Sequence, residues 1–231
     1  MPTRLIALLA GIVAACGTVD YDGAPVGRFD GNIFVMWVGE GDGSGDGRFL
    51  YVPDPNDPLT FTRGAGGPHG VIRPEMMYTD GGSTPRVVQI FEGFSPWGYA
   101  PAYMIHDWLF VARACNLDGA PTPGEARLAA MEFQESAEIM AEAIKTLLAE
   151  RRVSPNDFAP GAISSAVAGP ISRGIWDERG RCASPRVDPA DRERALAALA
   201  RAAPEAGMRS ATPPDPAPAA GGARVVAAIA F

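Results

Sequence analysis

The sequence predicts an α+β fold in which short strands or hairpins near the N-terminus precede a mainly helical core. Short segments rich in β-branched and aromatic residues occur between residues 32 and 62. Apolar residues then recur at helical spacing from residue 99 to residue 152. With 231 residues, of which 47% are hydrophobic, the chain can bury a core the size of one domain.

Three strands are predicted in the N-terminal part, at Asn32–Val38, Arg48–Val52 and Leu59–Thr62. The first two are joined by GEGDGSGDG, residues 39–47, which fits the first half of a calcium-binding EF-hand loop. Pro53, however, stands at the twelfth position of that loop, where a bidentate glutamate is needed. Strands also flank the loop where an EF-hand has helices. The segment therefore predicts a flexible hairpin turn.

Four helices are predicted in the remainder of the chain. They are Tyr99–Cys115, Glu125–Arg152, Ala162–Ile175 and a helix that begins at Asp188. The last of these has Pro189 at its first helical position, where the missing N–H has no cost. We expect the first helix, which contains a His-Asp pair, to pack on the apolar side of the long amphipathic second helix.

The first 15 residues have the pattern of a secretory signal peptide. Arg4 gives a basic start, Leu5–Val13 is apolar, and small residues precede Cys16. The ending VAAC is similar to a bacterial lipobox. This resemblance implies that Cys16 is lipidated on sulfur after cleavage, and that Gly17 favours retention at the outer membrane. An ordinary signal peptide cut elsewhere, or a buried or strand-forming apolar N-terminus, is the alternative.

The rest of the chain divides by composition. We predict a tether over 16–27, one folded domain over 28–187, a helix over 188–203 and a Pro/Ala-rich tail over 204–231. The linker ATPPDPAPAAGGA in the tail is expected to be extended. The final segment ARVVAAIAF either adds a strand to a sheet or frays.

The cysteines are informative because the chain has only three. Removal of the leader and lipidation of Cys16 would leave Cys115 and Cys182. In an oxidising periplasm an even pair suggests one disulfide, whereas two independent buried thiols are the alternative.

Charge and histidine content exclude several classes of function. The chain has 27 acidic and 20 basic residues, a net charge of -7, which argues against sequence-independent nucleic-acid binding. No apolar run reaches the roughly 20 residues of a membrane-spanning helix. Only two histidines are present, so sites built on several imidazoles are excluded.

The strongest candidate for chemistry is the pair His106-Asp107 within the apolar helix sequence YMIHDWLF. Burying these side chains without partners would cost several kcal/mol, so we expect hydrogen bonds, a metal, or the edge of a cleft. A carboxylate on one ring nitrogen would leave the other free to accept a proton. Three glutamates of the long helix share a face and could meet His106: Glu135, Glu138 and Glu142. The same row could also be solvated surface, and His69 in RGAGGPHG is expected to be exposed in a loop.

Several short motifs together resemble one known family. They are TDGGSTPR (79–86), Trp97-Gly98-Tyr99, AYMIHDWLF (102–110) and Ala137-Glu138. This order is similar to the bacterial and phage family known as domain of unknown function 1353, over about residues 70–180. The family has Tyr where Phe110 stands and Asp where Glu138 stands. By this resemblance, Glu138 is the carboxylate on the second helix.

A more distant resemblance is to secreted phospholipase A2 of the bacterial and fungal type. It implies that His106 is a general base, that Glu138 orients it, and that Asp80 and Asp107 bind Ca²⁺ beside the glycine-rich loop. Such a cation would polarise an ester carbonyl and stabilise the oxyanion. Gly82 stands where that family has a disulfide cysteine, so this bridge is missing.

Two functions follow as expectations. The first is an exported protein, lipid-anchored on the periplasmic side of the outer membrane, with a His/carboxylate hydrolase-like site for phospholipid esters. The alternative is a non-catalytic envelope or prophage-derived lipoprotein that binds a partner and uses the same polar cluster as scaffold.

Overall fold

The computed structural model describes residues 19–39, 48–79, 99–153, 159–202 and 223–231. Within these ranges the chain forms antiparallel strands and helices, so the predicted α+β class is confirmed. None of the helices in these ranges is long and apolar enough to cross a membrane.

The predicted strands and helices occur in the expected order, but the sequence did not predict three further short strands that precede the first helix. The strands are β1 (Arg28–Asp30), β2 (Asn32–Gly39), β3 (Arg48–Pro53), β4 (Thr60–Thr62), β5 (Val71–Ile72), β6 (Met77–Thr79) and β7 (Arg224–Ala230). The helices are α1 (Ala100–Leu117), α2 (Pro123–Ala126), α3 (Phe133–Ala149), α4 (Ala159–Val167), α5 (Pro170–Asp177) and α6 (Pro189–Ala202).

The strands form two antiparallel sheets. One has the order β1-β4-β5 and the other β6-β3-β2-β7. Strands β2 and β3 pair with Val35 opposite Tyr51, which is the pairing of a hairpin. The loop at 40–47, where the sequence predicts the hairpin turn, lies outside the described residues.

Strand β2 is apolar on both faces because the sheet is covered on both sides. Ile33 and Val35 belong to the core cluster that also contains residues of α1 and α3. Phe34 and Met36 belong to a second cluster, which α6 closes with residues such as Leu199. A strand buried on two faces has a continuous apolar sequence, and this explains the run IFVMWV.

The C-terminal residues complete the larger sheet. Strand β7 pairs with β2 along the edge opposite β3, with Ile33 opposite Ile229, and the Phe231 N–H donates to the Gly31 carbonyl at 3.1 Å. Of the two alternatives for the segment ARVVAAIAF, the added strand is therefore the one that forms. The linker at 203–222 lies outside the described residues.

The predicted long helix Glu125–Arg152 is wrong in extent, because the chain turns between α2 and α3. Leu128 and Met131 in that turn are buried in the same core as the helix, so apolar spacing continues across the break. The predicted helix Ala162–Ile175 is likewise two helices. Pro170, at the first turn of α5, has no N–H to continue α4.

Helix α1 packs on α3, as expected for the His-Asp helix and the amphipathic helix. The N-terminal segment also lies against α3. Lys145 Nζ donates to the Asp22 carbonyl at 2.5 Å, and the Gly27 N–H donates to Thr146 Oγ1 at 2.8 Å. The part of the predicted tether over 19–27 is thus hydrogen-bonded to the fold.

A disulfide joins Cys115, near the end of α1, to Cys182, which follows α5. Next to it, the Asp118 carboxylate accepts N–H groups from Gly180 and Cys182 at 2.8 and 3.0 Å. These backbone hydrogen bonds lower the pKa of Asp118. The segment after α5 is therefore attached to the C-terminal end of α1 both covalently and by hydrogen bonds.

Reduction of this disulfide is expected to lower the free energy of unfolding by about 4 kcal/mol, because the bridge closes a loop of 67 residues in the unfolded chain. Denaturant unfolding with and without dithiothreitol measures the effect. The Cys115→Ala/Cys182→Ala double variant is the control and should not respond to the reductant. Equal stability of the wild-type protein in both conditions would contradict the prediction.

Candidate functional site

His106 lies in the middle of α1 and is buried, with 8% of its surface exposed. Its ring packs against Phe110, one turn later on the helix, with ring centroids 4.8 Å apart. Phe110 in turn contacts the edge of Trp176 at 5.0 Å. The imidazole is therefore surrounded on this side by aromatic groups and not by carboxylates.

The Nε2 atom of His106 is buried and makes no hydrogen bond to any residue that the structure describes. Burial disfavours the charged ring and lowers the pKa of His106 to about 4. The ring is consequently neutral at neutral pH. A buried nitrogen without a partner has a cost of about 1–3 kcal/mol, which the surrounding core must offset.

Two tyrosines of the same core also have a buried polar atom without a hydrogen-bond partner among the described residues. The hydroxyls of Tyr51 on β3 and of Tyr99, at the N-cap of α1, are buried and have no hydrogen-bond partner within the described part of the chain. Burial raises the pKa of both phenols. Tyr99 and His106 are seven residues apart, so they share one face of α1, and this face is neutral and largely apolar.

Asp107 points away from His106 and toward the sheet. Its Oδ2 accepts a hydrogen bond from Thr79 Oγ1, at the end of β6, at 3.3 Å. Thr79 is the first residue of the TDGG motif and directly precedes Asp80. Asp80 itself lies outside the described residues, as does Cys16.

Glu138, which the resemblance selects as the carboxylate for His106, lies on the exposed side of α3. It accepts a hydrogen bond from Gln134, one turn earlier, at 3.2 Å. No contact among the described residues joins Glu138 to His106. Glu135 and Glu142, the other two glutamates of this row, bind Arg63 instead.

Glu142 and Glu135 bind Arg63, which directly follows β4. Nε and Nη2 of Arg63 donate to Glu142 Oε1 at 3.0 and 2.7 Å, and Nη1 donates to Glu135 Oε1 at 2.6 Å. The Ala65 N–H donates to the second oxygen of Glu142 at 3.3 Å. The side chains of Arg63 and Glu142 are 6% and 2% exposed. This group attaches the three-stranded sheet to α3.

The expectation that His69 is an exposed loop residue is wrong, because the ring is only 8% exposed. The Arg63 N–H donates to the Gly70 carbonyl at 2.9 Å and closes the loop. Gly66 and Gly67 adopt left-handed conformations, with φ of 68° and 87°, which turn the chain back toward α3. His69 Nδ1 then lies 2.9 Å from Glu135 Oε2.

The pair His69–Glu135 has the arrangement that we expected for His106. A carboxylate only accepts hydrogen bonds, so Nδ1 of His69 donates to it, and in the neutral form of the ring Nε2 then has the lone pair. Nε2 has no partner among the described residues and is not one of their buried unpaired atoms, so it reaches solvent. This imidazole can accept a proton from water.

Two further ion-pair groups attach other helices. Glu125 is fully buried, completes a capping box with Thr122 at the start of α2, and binds both terminal nitrogens of Arg186 at 2.7 Å. Asp191 on α6 accepts from the Tyr78 hydroxyl at 2.6 Å and pairs with Arg48. Burial and Asp191 raise the pKa of Tyr78 to about 12.

A metal site cannot be assembled from the described residues, which contain no group of three or more His, Cys, Asp or Glu side chains in suitable positions. Asp107 could contribute one oxygen to a cation. Since Asp80 and the glycine loop lie outside the described part of the chain, the predicted Ca²⁺ site stays a prediction.

The buried His106 makes stability depend on pH in a predictable direction. In the unfolded chain this ring binds a proton below about pH 6.5, whereas in the folded chain it does so only near pH 4. The free energy of unfolding therefore decreases as the pH falls between these two values. Between pH 7 and pH 4.5, we expect the free energy of unfolding of the wild-type protein to fall by about 2 kcal/mol more than that of His106→Leu. Urea unfolding of both proteins at pH 7 and pH 4.5 measures it. A parallel pH dependence of the two proteins would contradict the prediction.

Glu142→Gln is expected to lower the free energy of unfolding by about 3 kcal/mol, because Arg63 would be left buried with one carboxylate fewer. Glu138→Gln is the matched control on the same helix, and its exposed side chain should change stability by less than about 0.5 kcal/mol. Thermal or urea unfolding compares the two. Similar losses in both variants would show that the Arg63–Glu142 pair is not a main support of the fold.

Comparison with known proteins gives no relative for this fold and its two histidine sites. No protein-family model, curated protein or solved structure matches the chain. The resemblance to domain of unknown function 1353, and that to phospholipase A2, therefore stay predictions from short motifs.

Proposed function

We propose that the protein is an exported, lipid-anchored envelope protein in which the His106-Asp107 helix is part of the scaffold. The signal-peptide pattern and Cys16 support export and anchoring. The Cys115–Cys182 disulfide also supports export, because such bonds form and persist in oxidising compartments. Of the two functions expected from the sequence, this is the binding or structural lipoprotein.

The buried, unpartnered Nε2 of His106 is the observation that carries this proposal. A general base needs a carboxylate to orient it and a path for water or substrate to reach its second nitrogen. Around His106 the described contacts are instead aromatic, and Glu138 lies on the exposed side of α3. These features suit a ring that fills the core.

A Ca²⁺-dependent phospholipid hydrolase is the second candidate, and one contact favours it. The hydrogen bond between Thr79 and Asp107 holds the start of the glycine motif next to the His-Asp helix. Asp80 and Asp107 would then supply carboxylate oxygens for the cation, which prefers such ligands. In this case phospholipid is the substrate and the anchor places the domain at the membrane.

Anchoring is tested through Cys16. We expect the mature protein to fractionate with membranes and to carry the mass of acyl groups on its first residue, whereas Cys16→Ala should lack that mass. The Cys115→Ala/Cys182→Ala variant keeps Cys16 and is the control. Identical masses and fractionation of the wild type and Cys16→Ala would refute the lipid anchor.

A single assay distinguishes the scaffold protein from the Ca²⁺-dependent hydrolase. Purified protein is mixed with phospholipid vesicles, with Ca²⁺ or with a chelator, and fatty-acid release is measured. The scaffold role predicts that any release is independent of Ca²⁺ and persists in His106→Leu. Release that requires Ca²⁺ and disappears in that variant would instead establish the hydrolase at His106.

A further inference from the structure

We propose that His69 and Glu135 form a second site, open to solvent, in which His69 acts as general base in the hydrolysis of an uncharged carboxylic ester. This site goes beyond the anchored scaffold protein proposed above. It uses neither His106 nor a metal ion. His69 and Glu135 belong to a hydrogen-bonded group with Arg63 and Glu142, called the Arg63 group below.

Arg63, Glu142 and Glu135 each make more than one hydrogen bond within this group. Arg63 donates from Nε and from both terminal nitrogens to Glu135 and Glu142. Glu142 also accepts from the Ala65 N–H, and Glu135 uses one oxygen for Arg63 and the other for His69. Glu135 is thus held in position from the core side, and it holds the imidazole in turn.

The free atom of the group is Nε2 of His69. Among the described residues it has no hydrogen-bond partner, and it is not enclosed as Nε2 of His106 is. Nε2 is therefore in contact with solvent, while Nδ1 is held by the carboxylate. This is the arrangement of a catalytic His-carboxylate pair, in which the carboxylate sets the tautomer and stabilises the imidazolium that forms.

The turn that precedes His69 is open on the outer side of its two left-handed glycines, as far as the described residues are concerned. Gly66 and Gly67 have no side chains, and a Cβ atom added to either would have no atom within 4 Å. The space on the outer side of this turn is consequently open. Because the adjacent Pro68 restricts the backbone, the loop can present the imidazole without much loss of order.

The charges of the group select the class of substrate. Arg63 contributes one positive charge and the two glutamates two negative charges, so with neutral His69 the group has a net charge of about −1. This disfavours phosphate esters and other anions and favours an uncharged ester.

The reaction needs only water as second reactant. Nε2 takes a proton from water while the water oxygen forms a bond to the ester carbonyl carbon. When the bond between that carbon and the alcohol oxygen breaks, the same proton passes to the leaving alcohol. One ester and one water thus give one acid and one alcohol, and His69 returns to its starting state.

Chemical labelling tests whether His69 is open, and it is feasible because the chain has only two histidines. The full chain, purified in detergent without a histidine tag, is treated with diethyl pyrocarbonate at pH 7, and the modified peptides are identified by mass spectrometry. We expect rapid modification of His69 and protection of His106 until the protein is unfolded. Protection of His69 in the folded protein would overturn the proposal without the need for any variant.

Hydrolysis of p-nitrophenyl acetate tests the chemistry. We expect a rate above that of buffer, its loss in His69→Gln, and a fall of about tenfold in Glu135→Gln, whose amide cannot stabilise an imidazolium. Glu132→Gln, an exposed residue at the same end of α3, is the matched control and should keep the wild-type rate.

In this assay, a wild-type rate no higher than that of buffer, or a rate unchanged in His69→Gln, would overturn the proposal. Circular dichroism and urea unfolding of each variant establish that it is folded before its rate is compared. Failure of the Cys16 experiment would not affect this result, since neither labelling nor ester hydrolysis requires the anchor.

Discussion

The buried ion pair between Arg63 and Glu142 is the interaction on which the arrangement of this domain depends. It joins the end of β4 to the middle of α3, so the three-stranded sheet and the helical core are held in one orientation. Removing both charges from water is costly, and the cost is offset only because Arg63 donates from three nitrogens and Glu142 accepts from Ala65 as well. Such a group tolerates little displacement, which makes it a precise support for the side chains attached to it.

The larger sheet supplies the other constraint. Strand β2 lies between β3 and β7 and is buried on both faces. One sheet thus contains both the N-terminal hairpin and the strand at the C-terminus. Helix α6 covers the face opposite α1 and α3, and the pairing of β7 removes an exposed edge of β2. The tail after the Pro/Ala-rich linker is therefore part of the folded domain in its last residues, although its composition predicted only a linker and a possible strand.

The sequence predicted local features of the fold well and long-range contacts poorly. The strands at residues 32 and 48 begin where the β-rich segments begin, and the helix after Asp188 begins at Pro189, because composition and capping act locally. The break before Phe133 was missed because apolar spacing continues across it. The row of glutamates on α3 was recognised, but its partners were not, since nothing in the sequence indicates that Arg63 and His69, more than 65 positions earlier, fold onto that helix.

The two histidines show why a local motif is a weak guide to the reactive imidazole. His106 stands in the more suggestive sequence. The apolar helix that surrounds this His-Asp pair, however, also buries the ring and leaves Nε2 without a partner among the residues described. His69 stands in a glycine-rich loop with no carboxylate nearby in sequence, and it acquires one because Gly66 and Gly67 turn the loop onto α3. A general base requires an oriented ring and access to solvent at the same time. A loop attached to a charged, buried support can satisfy both conditions, whereas the interior of a packed helix satisfies only the first.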